Sequence, residues 1–240
     1  MVMALAVPLC AVAAEVRVLS AAAVQAPVEK LAAAFERDTG HKVSFEFATA
    51  GQVEAKLRAG ATPAIVINSQ ERGAALRTAT GDDPARARSL GTVRIGIAAR
   101  RGAPRPDVSS VDAFRQSLLR ASSIAYGDPA GGATTGVHFA KVLAQLGIAD
   151  DIRPKAQLAA NGLDVMRRVK AGDAELGVTQ VSEILHIDAP SLVGPLPTEL
   201  QLQTTYVAFV LDGGNPVARQ FAERLDSESG RGYFRAAGFE

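Results

Sequence analysis

Ala64-Ile65-Val66-Ile67 is a continuous apolar run, too short for a helix. Read as a strand, it is apolar on both sides and must be covered on both faces, which demands helices above and below a sheet. The preceding chain supplies them. Val16-Arg17-Val18-Leu19 reads as a strand, and residues 26–39 follow with Val28, Leu31, Ala32 and Phe35 at helical spacing. Pro27 suits the first turn of that helix and Gly40 its end. Residues 42–47 make a second strand, and 52–59 a second helix closed by Gly60. The pattern is β-α-β-α-β, with right-handed crossovers expected.

A second α/β unit follows. Strands are expected at 92–98, 123–126, 157–158 and 175–179, the last running on through Gln180 to Ile184, and then at 192–196 and 203–211. Helices are expected at 111–119 with Ser110 as cap, from Val137 to Leu146, at 162–171, and at 216–225, the closing helix, with Asn215 as cap. The predicted fold class is therefore α/β, with two lobes, each a mixed sheet flanked by helices. Residues 15–92 plus 205–240 form lobe 1 and residues 93–204 form lobe 2, joined at a hinge of two crossing strands. Such lobes enclose a cleft.

Composition excludes several classes. The 240 residues carry a net charge of only +1, which offers no basic surface for nucleic acid. Residues 1–14 (MVMALAVPLCAVAA) read as the end of a secretory signal, which places the mature chain in the periplasm. Cys10, the single cysteine, lies inside that segment with Val7-Pro8-Leu9 before it, so no disulfide or thiol chemistry is expected. His41, His138 and His186 are scattered, with no zinc spacing, and neither a Walker loop, a nucleophile elbow nor a dinucleotide motif occurs. No metal and no cofactor are expected. The arginines of 85–88 and Arg100-Arg101 read as solvated surface.

Ligands of open α/β sheets sit beyond the carboxyl ends of strands. The loops there are small and almost free of charge: Ser20, Ala21, Ala22 and Ala23; Ala48, Thr49, Ala50 and Gly51; Asp128 through Gly131, Gly132, Thr134 and Thr135; and Gln180. Helices follow them, and a helix start offers unpartnered amides that suit an anion. Gly131 and Gly132 read as positions of close backbone approach, Asp128 as the anchor of its turn, and Asn161 and Gly162 as a further helix start.

Leu19 to Ala23, Ala34 to Gly40, Phe47 to Gly51, Gly127-Asp128-Pro129, the helix to Lys141 with Leu146-Gly147, and Glu175 to Val178 together resemble the molybdate-binding proteins of ABC importers. The resemblance covers nearly all of the chain after the leader. It implies a class II periplasmic solute-binding protein, expected as a monomer, that shuts on a small anion and docks on an inner-membrane permease. Where that family places a serine in each of the first two loops, this chain has Ala23 and Ala50. A small residue becomes Thr135, the amide-donating position falls on Gly162, and a tyrosine becomes Gln180. Exchanging the polar partners of a hydrogen-bonding site changes what it accepts. The ligand-binding set implied is Ser20, Ala22, Ala23, Thr49, Ala50, Gly51, Gly131, Gly132, Thr134, Thr135, Asn161, Gly162 and Gln180, and the exchange turns it from tetrahedral molybdate toward a planar carboxylate. The same group of proteins also contains periplasmic isomerases of small tricarboxylates such as aconitate. On that alternative His138 is the acid/base residue; otherwise no catalytic residue is expected.

Overall fold

The computed structural model describes residues 13–73, 87–212 and 215–240. Most of the expected leader, with Cys10, and the Ala85-Arg86 part of the arginine-rich stretch lie outside the described residues.

Strand β1 (Glu15–Ala21) runs parallel to β2 (Lys42–Ala48) on one side and to β3 (Ile65–Ser69) on the other. The return strand β9 (Gln203–Val210) is antiparallel to β3 and to the first part of β4 (Ala87–Ala99). From Ile95 onward β4 pairs instead with β7 (Leu176–Gln180), and from Gly96 also with β8 (Leu192–Pro195). Beyond β7 lie β5 (Ile124–Gly127) and β6 (Ala156–Ala159), all parallel. One strand thus serves both halves, and the main sheet order is β2-β1-β3-β9-β4-β7-β5-β6. The crossing is pinned by Gln201, whose amide accepts from the Ile95 N–H at 2.9 Å and donates to the Ile95 carbonyl at 3.0 Å.

Helices α1 (Gln25–Thr39), α2 (Ala50–Arg58), α3 (Val111–Arg120), α4 (Thr134–Gln145), α5 (Ala149–Ile152), α6 (Gly162–Ala171), α7 (Val181–Asp188), α8 (Pro216–Asp226) and α9 (Glu228–Ala236) surround the strands. In the first half, α1, α8 and α9 bring Phe35, Phe221 and Phe234 onto one face, while Val53 of α2 covers Leu19 and Val66 on the other. In the second half Phe114, Leu118 and Phe139 cover one face and Val165, Met166 and Val169 the other. Ile65, Val66 and Ile67 are wholly buried, as the apolar run requires.

Two expectations are corrected. Residues 181–184 do not continue a strand: they open α7, because the Glu183 carboxyl accepts the Gln180 N–H at the helix start. Nor does the chain close with α8. Ser227 accepts the Gly230 N–H and caps a further helix, α9, against α1 and α8. Gly230 lies so near α8 that a Cβ there would stand 2.4 Å from the carbonyls of Arg224 and Leu225. A glycine at this position is what lets the two helices fold back on each other.

Asn215 is the cap expected from the sequence, and its Oδ1 accepts the amides of Val217 and Ala218 at 3.0 and 3.1 Å. Asn215→Ala is expected to cost about 1 kcal/mol, a cap's usual contribution. For a chain of this size that lowers Tm by roughly 2–4 °C, readable by calorimetry.

Candidate functional site

Four helices and the end of β1 converge on one hollow between the halves. Ala50 opens α2, Thr134 and Thr135 open α4, Gly162 opens α6, and Gln180 precedes α7; Ala21, Ala22 and Ala23 complete the wall. The hollow is narrow, its empty space amounting to about 320 Å³ with the solvent at its mouth included. Among the described residues no Lys, Arg or His lines it. Each helix start carries the positive end of its dipole, so the wall favours negative charge without a cation. Thr49 and Asn161 cap α2 and α6, accepting from Gln52 and Asp164. Ala133 gives α4 no side-chain cap.

The structure brings Ala22, Ala23, Thr49, Ala50, Thr134, Thr135, Asn161, Gly162 and Gln180 of the expected set onto this wall. The other members lie behind it. Ser20 is buried, and its hydroxyl donates to the Ala21 carbonyl. Gly51 and Gly132 meet across the cleft, the Gly51 N–H donating to the Gly132 carbonyl at 3.2 Å. A Cβ on Gly51 would come within 2.9 Å of the Gly132 Cα, and Gly132 has φ +71°, so a larger residue at either position would hold the rims apart. Gly131 is not a close-approach position: the nearest atom to an added Cβ is 3.9 Å away. Its carbonyl instead accepts the Thr49 hydroxyl at 2.7 Å. On the opposite rim the Ser182 hydroxyl donates to the Ala23 carbonyl at 2.7 Å. The halves are therefore closed on each other along both rims. His138 is off the wall, with Nε2 at 2.8 Å from the Leu200 carbonyl.

Two lining residues escape the sequence reading, Glu183 and Tyr206. Gln180 faces Tyr206 and Thr204 of β9, its Nε2 at 3.3 Å from the phenol and 3.4 Å from the hydroxyl. A phenol thus reaches the hollow from β9, although position 180 has an amide. Burial pushes the Tyr206 phenol well above its ordinary range, with the Glu183 charge adding to the effect, so it stays neutral. The Glu183 Oε2 accepts from the Thr179 hydroxyl at 2.5 Å and from the Gln180 N–H at 3.2 Å. Burial nevertheless raises this carboxyl to about 7, the two hydrogen bonds offsetting only part of the cost of a charge there. No signal for Glu183 is visible without α7, since its place on the wall depends on one turn of helix after Gln180.

Among the described residues three buried side-chain polar atoms have no hydrogen-bond partner, and two of them, Gln180 Oε1 and Thr134 Oγ1, belong to residues of this wall. Buried polar atoms are nearly always paired.

Residues 16–240 match the family model of the bacterial extracellular solute-binding proteins, and the chain belongs to that family. It is 30% identical over 211 residues to an aconitate isomerase of a Pseudomonas species, covering 79% of this chain and 72% of that protein. It is 22% identical over 228 residues to the molybdate-binding protein of Escherichia coli K12, covering 94% and 88%. The solved periplasmic molybdate-binding protein of Azotobacter vinelandii superposes with a TM-score of 0.76 at 19% identity, covering 94% of this chain and 98% of that one. The two-lobed mixed α/β fold is that of the periplasmic binding proteins.

Proposed function

We propose that this protein captures a small anion, in particular a small carboxylate, in the hollow between its halves and delivers it to the membrane permease of an ABC importer. On this reading residues 1–14 are removed on export to the periplasm. Residues 15–92 with 205–240 swing against 93–204 about the two crossing strands. The observation that carries the reading is the orphaned Thr134 Oγ1 in a hollow ringed by helix starts. A guest oxygen accepts from the Thr134 hydroxyl and from the first amides of α4. The Gln180 amide serves either way round. As placed, its Oε1 takes a hydroxyl of the guest. Turned over, its Nε2 donates to a carboxylate while its Oε1 accepts from Thr204 and Tyr206. The rim contacts of Thr49 and Ser182 form only when the halves meet, so a guest touching both favours closure by its differential affinity.

A thermal-shift panel of oxyanions and small carboxylates tests this, because a guest that binds only the folded state raises Tm by mass action. A dicarboxylate hit supports the proposal; a panel without any stabilising anion overturns it. Thr134→Val is expected to weaken the best carboxylate about tenfold, the loss of one hydrogen bond to a charged group. The free protein should be as stable as before, because an unpaired buried hydroxyl is removed.

A second reading is favoured by Glu183. A carboxyl near 7 on the wall of the hollow is suited to take and return a proton, and a 30% identical relative bears the name aconitate isomerase. On that reading Glu183, not His138, moves a proton between two carbons of a bound unsaturated acid, with no net oxidation. Proton NMR of the protein mixed with cis- or trans-aconitate separates the readings: conversion identifies an isomerase, unchanged substrate a binding protein.

A further inference from the structure

We propose that the hollow accepts its anion only with the Glu183 carboxyl in its protonated form, so that capture of the anion is coupled to holding a proton. The inference rests on the anion-binding reading of the same site. A carboxyl belongs to a wall otherwise made of helix starts, hydroxyls and amides that attract negative charge. As a carboxylate it competes with the guest for those dipoles and repels it. As an acid it carries one more donor.

Among the described residues no other charge is paired with it. Of the elements packed on α7, α6 carries Arg167, which is exposed, Asp164, engaged with Arg168, and Lys170, which donates to the Ile187 carbonyl. On β4, Arg94 pairs with Glu240 at 2.9 Å. On α1, Glu29, Lys30 and Arg37 are exposed, Glu36 accepts the Val43 N–H and Asp38 pairs with Arg224. On α7 itself His186 is exposed and Asp188 pairs with Arg101 at 2.6 Å. From β9 the Tyr206 phenol faces the site, and it is neutral. Without a guest, burial leaves the carboxyl titrating at about 7. A bound anion raises it further, so the guest and the proton help each other on.

The sign of the linkage is fixed. Below about pH 7 the acid is already protonated and anion affinity is flat with pH. Above it, affinity falls by up to tenfold per pH unit, and each binding event takes up a proton. Folding stability carries the same mark. The folded-state carboxyl lies above the ordinary 4.5, so Glu183 makes the fold lose stability as pH rises from there to about 7.

Maleate, succinate and molybdate serve as probes, titrated calorimetrically from about pH 6 to about pH 9 in buffers of unequal ionisation enthalpy. Proton uptake on the alkaline side, with affinity falling there, is the expected result, and Glu183→Gln should flatten the profile. Binding of a probe with flat affinity and no proton uptake overturns the coupling and leaves the anion site standing. No binding of any probe at any pH overturns both. The proton count is made on the unaltered protein and decides the matter even if Glu183→Gln folds poorly.

Discussion

Gly136→Ala is expected to lower Tm by roughly 6–12 °C, the consequence of about 3 kcal/mol of overpacking at 2–4 °C per kcal/mol for a chain of this size. An added Cβ would stand 1.8 Å from the Gly127 carbonyl oxygen and 2.6 Å from its carbon. Both are backbone atoms at the end of β5, so no rotamer relieves the clash. Helix α4 has to lift off the strand, carrying Thr134 and Thr135 out of the hollow, and anion binding falls with stability. The neighbouring Gly131 makes the control. Its added Cβ meets nothing nearer than 3.9 Å and its φ is not positive. Gly131→Ala is expected to gain about 0.4–1 kcal/mol by restricting the unfolded chain. Thermal melts of the two variants give opposite shifts; a tolerated Gly136→Ala would mean that α4 does not start where the structure has it.

The contrast between these two glycines bears on what a sequence discloses. The two stand five residues apart in one glycine-rich stretch and nothing local tells them apart, because the need for glycine at 136 arises from a strand end nine residues earlier that lies beneath it. The strands were readable because Ile65–Ile67 and Val16–Leu19 are filled by residues whose burial is dictated locally. The hollow was readable in outline for a related reason: Ala23, Thr49 and Thr135 each come after a strand and Gln180 ends one, and in this architecture the strand ends converge. Glu183 was hidden. Val181-Ser182-Glu183-Ile184 continues the β-like composition of β7, and the turn into α7 depends on a carboxyl reaching back to a single N–H. Tyr206 was hidden differently, since a residue in mid-strand reaches the site only through the register of β9 against β3 and β4. Local pattern is silent on pairing between strands far apart in the chain, so the phenol that position 180 lacks returns from a place no loop motif marks.

Gly162→Ala is expected to weaken anion binding more than a hundredfold while costing the fold much less than Gly136→Ala does. The added Cβ would lie 1.9 Å from Glu183 Oε2 and 2.1 Å from the Thr179 hydroxyl. Here the obstacle is the end of a side chain, which can move. Moving means leaving the Thr179 hydroxyl and the Gln180 N–H, a loss of about 1–3 kcal/mol for buried hydrogen bonds. Position 162 opens α6, where alanine is itself a good helix residue, so part of that loss is returned. Glu183 already lines the hollow, so the displaced carboxyl is expected to turn into it. There it excludes the anion by bulk and, once ionised, by charge. A hundredfold loss is about 2.7 kcal/mol of binding free energy, less than the combined effect of both. Removing the carboxyl as well, in Gly162→Ala with Glu183→Ala, should restore a large part of the affinity, because the intruding group is gone and the helix starts remain. Calorimetric titration of the single and double variants with succinate measures both effects. Wild-type affinity in Gly162→Ala would show that the guest sits elsewhere than against α6 and α7.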